Sequence, residues 1–488
     1  MSKKHNLDGK TNGAKIKKYK HAGEKEWRLW LYMVAFVSVI ISAFALRVLW
    51  ILNVPTEQLF DFSTYYDIAV NVYLGKGYTF MDQPIAFQGM SYSYILGYFF
   101  KLMHSSTELT AKIFNVLCSM VTIFATWSFV KKMTDSPLVR WGTLLWVAFL
   151  PHHIAYCNTI GTEVFSGALL SGTLAIQVSA MKNRYKWPLL GLAIGLMTLT
   201  KPFFMAYPLA IGLYEWFSSK NWKVAVSSFA VVFVCMWALM APWTFRNYQL
   251  FHRFIPVSYN SGLVLYLNNN ANNINGGYMP LEAIEKTPKL ADQINQHLEG
   301  GKKSLKLASD LELDLKPAAK KWISQHPIQF LKLSVIRLHS TLFNGAGDID
   351  AWTMNGAGDA EVLKESIAVK KEIKTEEETM AERILWQRNL RFFQAINDIC
   401  YGVLTAFGSV FVLANLPIFF RALFSKKKIL DKKISIPLLN LGFLYAVILV
   451  YEGQPRYSAP ILFLLAYCTM QVVSLIVDYG KTQSRELK

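Results

Sequence analysis

The chain is poor in charge. Asp, Glu, Lys and Arg make up 17% of its 488 residues, and hydrophobic residues make up 53%. An average soluble domain carries roughly 25% charged residues and about 45–50% apolar ones. The composition therefore disfavours a water-soluble domain and directs attention to the apolar runs.

Cysteine is also scarce. All five cysteines lie within or beside apolar runs: Cys118, Cys157, Cys235, Cys400 and Cys468. The polar stretch 243–395 contains none, so neither a disulfide framework nor a Cys-based zinc site is indicated. His152 and His153 are adjacent and lack the i,i+4 spacing that places two ligands on one helix face. We therefore expect no metal and no cofactor.

Long uncharged runs are what the sequence has instead. Residues 29–46 alone could cross about 30 Å of hydrocarbon as a helix. Ala43-Phe-Ala45 resembles a signal-peptide cleavage site, but the run continues to Leu52, which favours an uncleaved first span. The other runs are 110–130, 141–157, 164–181, 187–200, 202–217, 223–242, 399–420, 434–451 and 459–477. The sequence thus predicts an all-α polytopic membrane protein with about ten spans.

Basic residues outnumber acidic ones by 51 to 33, for a formal charge of +18. They cluster at span ends: 3–25, 131–132, 182–186, 220–223 and 426–433. This is the positive-inside pattern, with membrane lipid as the partner, rather than the single basic face of a nucleic-acid-binding protein. We expect a multi-pass protein of the plasma membrane with both termini in the cytoplasm.

This topology divides the chain into segments. They are a basic tail (1–28), a catalytic transmembrane module (29–242) with a first external loop (52–106), an extracytoplasmic region (243–395), C-terminal spans (396–478) and a tail (479–488). Segments 91–103 and 326–343 are predicted to lie in the membrane interface, the first alternatively as a re-entrant helix. The Asn- and Gly-rich stretch 259–280 predicts a loop, and 281–325 and 360–390 predict surface helices.

Polar residues at span ends converge on the external face in this topology. They are Asp61, Asp67, Glu163, Lys201, Arg246, Arg337 and Arg456, with Arg47 near the end of the first span. A carboxylate there can act as a general base on a hydroxyl, and cations can hold a phosphate and stabilise it as a leaving group. Asp67 lies six residues after Asp61, on the opposite side of a helix, and we choose Asp61 as the functional one.

Each of these residues also has a plainer interpretation. Span-end cations such as Arg47, Lys201 and Arg337 often only extend to the interface. Tyr65 and Tyr92 are candidate site-lining residues, but tyrosines at this depth also form the interfacial aromatic belt. Glu163 begins an otherwise apolar run, where its charge needs water, a cation or a ligand, so we predict that it lines the site together with Tyr457.

Ordered motifs add a family resemblance. They are Asp61-x-x-x-Tyr65-x-x-x-Ala69, Gly75-Lys-Gly77-Tyr78, Gln88-Gly-Met-Ser-Tyr92, Leu199-Thr-Lys201-Pro202, Pro242-Trp243-x-x-Arg246-Asn247, Ser261-Gly262-x-x-Leu265-Tyr266-x-x-Asn269-Asn270 and Arg456-Tyr457-x-x-Pro460. In this order they resemble bacterial membrane glycosyltransferases related to protein O-mannosyltransferases and lipid A aminoarabinose transferases.

The resemblance implies a GT-C-like fold, with an external active site that uses lipid-phosphate sugar donors. It implies Asp61 as the catalytic base, and Arg246 and Arg456 as residues that face the donor phosphate, with Lys201 as a weaker candidate. Two positions depart from the relatives. Gly89-Met90-Ser91 stands where they commonly have a Pro-Pro or Pro-Gly pair, and Lys201 stands where many have Arg.

These observations predict a glycosyltransferase that moves a sugar from a polyprenyl-phosphate donor to a cell-envelope acceptor, which could be a glycopolymer, a glycolipid or a protein. A transporter or flippase of a lipid-linked sugar is the alternative, since it would use the same cationic groove without bond formation. A non-catalytic assembly subunit that binds partners through 243–395 is the third interpretation.

Overall fold

The computed structural model of the chain describes residues 5–284, 292, 304–343, 348–354, 376–425 and 429–486. The N-terminal half contains α1 (His5–Asn53), α2 (Asp61–Tyr73), α3 (Ser91–Met103), α4 (Glu108–Met133), α5 (Pro137–Phe149), α6 (Pro151–Ala155), α7 (Thr162–Gln177), α8 (Asn183–Thr200), α9 (Pro208–Ser219) and α10 (Trp222–Phe251). A short antiparallel hairpin, β1 (Thr79–Phe80) and β2 (Gln83–Pro84), lies in the first loop.

The second half contains α11 (Ser261–Asn268), α12 (Ser304–Gln325), α13 (Pro327–Leu342), α14 (Asp348–Thr353), α15 (Glu376–Phe424), α16 (Lys432–Val450) and α17 (Leu462–Glu486). Short 3-10 turns occupy Tyr156–Asn158, Pro202–Ala206, Leu281–Ala283 and Pro455–Ile461. Helix α10 packs against α8 and α9, α4 against α7, and α15 against α17, so their buried faces form one apolar core.

Six helical segments in the described part of the chain are long and apolar enough to cross a membrane. They are Leu29–Asn53, Glu108–Met133, Trp222–Phe251, Arg388–Phe424, Lys432–Val450 and Pro455–Ser484. The chain is a multi-pass membrane protein, and the predicted all-α polytopic class is confirmed. The other four predicted runs form α5, α7, α8 and α9, shorter helices of 12 to 18 residues.

Proline explains why the predicted run 141–157 is not a single helix. Pro151 lacks a backbone N–H and cannot continue α5, so α5 ends at Phe149 and α6 begins at Pro151. Arg47 of α1 compensates for this break. Its guanidinium is fully buried and donates to the carbonyls of Val147 and Ala148, at 3.1 and 2.8 Å. These contacts indicate a structural role for Arg47, because it donates hydrogen bonds to carbonyl groups that have no partner within α5.

The loop predicted for 259–280 is partly wrong, because Ser261–Asn268 is a helix. Glu312 of α12 accepts hydrogen bonds from the backbone N–H groups of Gly262 and Leu263, which are free at the start of α11. Leu265, Tyr266 and Leu267 are buried against α12. A tertiary cap and burial therefore override the local turn composition, and the irregular segment begins only at Asn269.

Helix α13 covers the predicted interfacial segment 326–343. Lys332 and His339 are exposed as expected, but Arg337 faces the interior. Arg337 is fully buried and donates to the carbonyls of Leu449 and Asn268. The apolar side chains of Ile328, Leu331 and Val335 are the exposed ones. Arg337 is thus not at the external water boundary. It donates hydrogen bonds to carbonyl groups at the ends of α16 and α11, and burial lowers its pKa to about 10.

The remaining segment predictions have mixed outcomes. Segment 91–103 is α3, a 13-residue helix that packs on α2. Most of 281–303 and all of 360–375 lie outside the described residues, as do 426–428 of the basic cluster 426–433. The described part of that cluster lies beside the basic segment 220–223, since the N–H of Leu430 donates to the carbonyl of Phe217 at 3.1 Å.

Candidate functional site

Lys201 owes its position to the proline that follows it. A residue before proline avoids the helical conformation, and Lys201 is accordingly extended, with φ −133° and ψ 107°. Helix α8 therefore ends at Thr200, and the Lys201 side chain leaves the helix. Its Nζ atom lies 3.8 Å from Oε1 of Glu163, on the first turn of α7.

An extended residue before a proline also positions Arg456. Gln454 is extended before Pro455, and the 3-10 turn Pro455–Ile461 carries the arginine before α17 begins. The Arg456 side chain is only 13% exposed, and its Nη2 atom lies 3.5 Å from Oδ2 of Asp61. The guanidinium also lies over the rings of Phe62 and Trp352, with Cζ 5.7 and 5.6 Å from the ring centroids. These contacts hold a cation beside the predicted base.

Asp61 opens α2, where a negative charge is favoured by the helix dipole. Its side chain is 45% exposed. One carboxylate oxygen, Oδ1, accepts a hydrogen bond from Nε2 of Gln88 at 2.9 Å, while the other faces Arg456. The carboxylate is therefore held by two partners and still reachable from solvent. Asp67, on the other side of α2, is exposed.

A cavity of about 980 Å³ adjoins this pair. Its polar lining includes Glu163, Ser166, Lys201, Glu452, Arg456 and Tyr457. Its apolar lining includes Phe203, Phe204, Met205, Leu444, Val447 and Ile448. The structure thus brings four predicted site residues to one cavity, while Asp61 stands at its margin through the contact with Arg456. A molecule with a charged head and an apolar tail suits a lining that contains both kinds of residue.

Arg246 does not line this cavity. Its guanidinium donates to the carbonyls of Ile85 and Tyr78, at 2.8 and 3.0 Å, and lies 4.4 Å from the centroid of the Trp243 ring. Asn247 and Trp243 donate to the carbonyls of the segment 255–257, which forms part of the cavity wall. The Pro-Trp-x-x-Arg-Asn motif therefore connects α10 to the first loop and to the segment 255–257. This geometry does not support a contact between Arg246 and a phosphate.

Tyr65 and Tyr92 also lie away from the cavity lining. Their rings pack edge to face, 5.7 Å between centroids, and the hydroxyl of Tyr92 donates to Asn115 Oδ1 at 3.0 Å. Burial, and secondarily the charge of Asp61, raises the pKa of Tyr65 well above its usual value. Burial does the same to the pKa of Tyr92. Both are neutral residues of the packing beneath α2 rather than titrating groups of the site.

Gly89, one of the departures from the relatives, is tightly packed against the α8 terminus. A Cβ atom there would lie 2.1 Å from the carbonyl oxygen of Thr200 and 2.6 Å from that of Leu199. The neighbouring Ser91 shares a hydrogen bond with the hydroxyl of Thr200. The first loop therefore rests directly on the residue before Lys201, and only glycine leaves room for that contact.

We expect Gly89→Ala to destabilise the protein by about 1–3 kcal/mol, because the added methyl meets backbone atoms that cannot yield. The midpoint of thermal unfolding of the purified protein in detergent should fall by several °C. Gly172→Ala, in the interior of α7 with nothing within 4 Å of the new Cβ, is the matched control. It should leave the midpoint unchanged or raise it slightly. Equal midpoints for both variants would contradict the close packing.

Sequence reasoning did not single out Ser166, Glu452 or Trp352. Ser166 follows Glu163 by one turn, a spacing that could have indicated it. Glu452 accepts a hydrogen bond from the Tyr457 hydroxyl at 2.7 Å. Trp352 reaches Arg456 because Asp348 of the same short helix accepts a hydrogen bond from Tyr156. Tyr156 and Asp348 are 192 positions apart in sequence, so no local sequence pattern predicts their contact.

Comparison with known proteins gives one family match. Residues 86–245 match the family model described as dolichyl-phosphate-mannose-protein mannosyltransferase, which covers less than half of the 488-residue chain. The matched segment includes α3 to α9 and most of α10, and with them Glu163 and Lys201. A search of curated proteins finds no match to this chain.

Three solved structures of the oligosaccharyltransferase of Archaeoglobus fulgidus resemble the chain at 12% identity. The complex of AglB with an inhibitory peptide and a dolichol-phosphate gives a TM-score of 0.49, covering 94% of this chain and 52% of that one. The apo form gives 0.48, covering 92% and 51%. The form tethered to an acceptor peptide gives 0.44, covering 91% and 50%. The chain thus spans about half the length of these proteins.

The family match falls on motifs that the sequence had already singled out. Gln88-Gly-Met-Ser-Tyr92, Leu199-Thr-Lys201-Pro202 and the start of Pro242-Trp243-x-x-Arg246 all lie within or at the end of the matched range. Over residues 86–245 this chain is similar to the dolichyl-phosphate-mannose-protein mannosyltransferases, which confirms the resemblance predicted from its motifs.

Proposed function

We propose that this protein transfers a sugar from a polyprenyl phosphate to an acceptor hydroxyl at the extracytoplasmic face of the membrane. The observation that carries the proposal is the position of Asp61, 3.5 Å from Arg456 at the margin of a cavity that both polar and apolar residues line. The matching family is named for a lipid-phosphate sugar donor and a protein acceptor, which supports the same class of reaction.

The donor would lie in the cavity with its prenyl chain against the apolar lining residues. Phe203 and Phe204 offer that chain apolar surface, as do Leu444 and Val447 of the candidate span Lys432–Val450. Its phosphate would lie near Arg456 and Lys201, the latter linked to Glu163. Arg456 presents a planar fork to the phosphate oxygens, whereas the flexible ammonium of Lys201 supplies a point charge.

The reaction is a single displacement at the anomeric carbon. The Asp61 carboxylate accepts the proton of the acceptor hydroxyl while that oxygen bonds to the anomeric carbon. The bond from the anomeric carbon to the phosphate oxygen breaks, and its electron pair leaves with the phosphate. Arg456 and Lys201 stabilise the charge that develops on the departing oxygen. Polyprenyl phosphate and an inverted glycoside are the products.

We place the site outside the cytoplasm on the basis of charge. The basic segments 220–223 and 429–433 lie beside each other, since the N–H of Leu430 donates to the carbonyl of Phe217, and neither segment lines the cavity. Positive clusters favour the cytoplasmic side, which puts the cavity on the other face and both termini inside, in the plasma membrane.

The direct test supplies the purified protein in liposomes with polyprenyl-phosphate mannose carrying a radiolabel, and with envelope protein, glycolipid and glycopolymer fractions. We expect label in one acceptor fraction and release of polyprenyl phosphate in equal amount. Donors with other hexoses and with pentoses extend the assay if mannose is not used. Movement of intact donor across the bilayer without any glycosylated product would instead identify a flippase.

A further inference from the structure

Three residues that line the cavity carry buried polar atoms without hydrogen-bond partners. Oε2 of Glu163, Oγ of Ser166 and Nε of Arg456 are buried and have no hydrogen-bond partner among the described residues. Glu163 is 4% exposed and Ser166 is 3% exposed, and all three residues line the large cavity. Buried polar groups are normally paired, so such a concentration points to a ligand that supplies the missing bonds.

Helix α7 places Glu163 and Ser166 next to each other. Glu163 and Ser166 are three residues apart and therefore lie on the same face of the helix. Lys201 engages only the other carboxylate oxygen of Glu163, Oε1, at 3.8 Å. Gly161 leaves room for Oε2, because a Cβ at that position would lie 2.6 Å from this oxygen. One carboxylate oxygen is thus paired with Lys201, and the other is buried without a hydrogen-bond partner among the described residues.

The chemistry of this group fits a polyhydroxylated ring next to a phosphate. A carboxylate oxygen only accepts hydrogen bonds, a serine hydroxyl both donates and accepts, and a guanidinium N–H only donates. Two neighbouring sugar hydroxyls can donate to Glu163 and exchange a bond with Ser166. The phosphate on the anomeric carbon then meets Arg456, which is the arrangement that one glycosyl phosphate would satisfy.

We propose that Glu163 and Ser166 form the subsite that recognises the hydroxyls of the donor sugar, and that they determine which sugar is accepted. This inference rests on the proposed function, since it deepens the role of the same cavity. A site that is built to pair with a hydroxyl rejects an analogue without it strongly, because the buried partner is left unpaired. Recognition of the sugar therefore resides on α7, separate from the base Asp61 on α2.

The test combines Glu163→Gln and Ser166→Ala with donors that each lack one hydroxyl. The unmodified protein should use a donor without the recognised hydroxyl at least about 100-fold less efficiently, as kcat/KM. Each variant should lose efficiency with the full donor, yet show a much smaller penalty for the donor that lacks its own hydroxyl. Ser171→Ala is the matched control, because Ser171 is also buried on α7 but bonds to the carbonyl of Ala168 and does not line the cavity.

Binding gives a second readout that does not depend on transfer. The unmodified protein should bind polyprenyl-phosphate sugar more tightly than bare polyprenyl phosphate, and both variants should reduce that difference. An equal loss with every donor, together with an unchanged preference for the sugar-bearing lipid, would overturn the subsite. Preference for the sugar without any transfer would keep the subsite and reject the proposed function instead.

Discussion

Asp61→Asn is expected to lower the rate of sugar transfer by about 10³-fold, within the range of roughly 10²–10⁴ for loss of a general base. The amide keeps the size of the side chain and can still bond to Gln88, which lies 2.9 Å from Oδ1. It cannot accept the acceptor proton. Single-turnover transfer at saturating donor and acceptor measures the effect without a contribution from substrate binding.

Asp67→Asn provides the matched control. Both acids lie on α2, but Asp67 is exposed on the other side of the helix and away from Arg456. Its variant should transfer sugar at close to the normal rate. A near-normal rate for Asp61→Asn, or an equal loss for both variants, would show that Asp61 is not the base.

Arg456→Ala is expected to lower transfer by about 10²–10³-fold, the range found when one charge-stabilising group of a transition state is removed. The loss should fall mainly on the rate of the chemical step, since negative charge on the phosphate oxygen grows as the bond breaks. Arg456→Lys should recover only part of it, because an ammonium keeps the charge but lacks the planar fork. Comparing single-turnover rates with donor affinity separates the two contributions.

Arg140→Ala serves as the control for the loss of an arginine paired with an aspartate. Arg140 lies 2.7 Å from Asp135 between α4 and α5, and neither residue lines the cavity. Transfer by this variant should stay close to normal. A full recovery of the rate by Arg456→Lys would indicate that a positive charge alone suffices and that bidentate binding is not needed.

The sequence predicted the class of fold well because the membrane imposes simple rules. Apolar runs long enough to span must be helical, so the six spanning segments could be read directly from composition. The shorter helices were harder to predict. Hydropathy treats 141–157 as one continuous run, but Pro151 divides it into two helices. The helix at Ser261–Asn268 was missed because Glu312, far along the chain, caps it.

The structure brings some of the candidate site residues together and separates others. Lys201 and Arg456 adjoin prolines at span ends, and the topology placed them on one face with Glu163, where the structure has them around one cavity. Arg246 and Arg337 share the same sequence signature, a cation near an apolar run. Both instead donate to backbone carbonyls of neighbouring segments. Composition cannot tell a ligand cation from a structural one, because both are buried and both are charged.

By itself the sequence determined an all-helical membrane protein and the residues that its motifs share with a family. It also predicted Asp61 rather than Asp67 as the base, which the variants above test. Only the tertiary structure decided which polar groups meet. Asp61 pairs with Arg456 across 395 positions in sequence. Glu163 and Ser166 line one cavity and carry polar atoms unpartnered among the described residues, whereas Arg246 does not line it. Hydrophobic periodicity is a local property of the chain, whereas the pairing of a buried charge depends on which distant carbonyls and carboxylates the packing brings within a few ångströms.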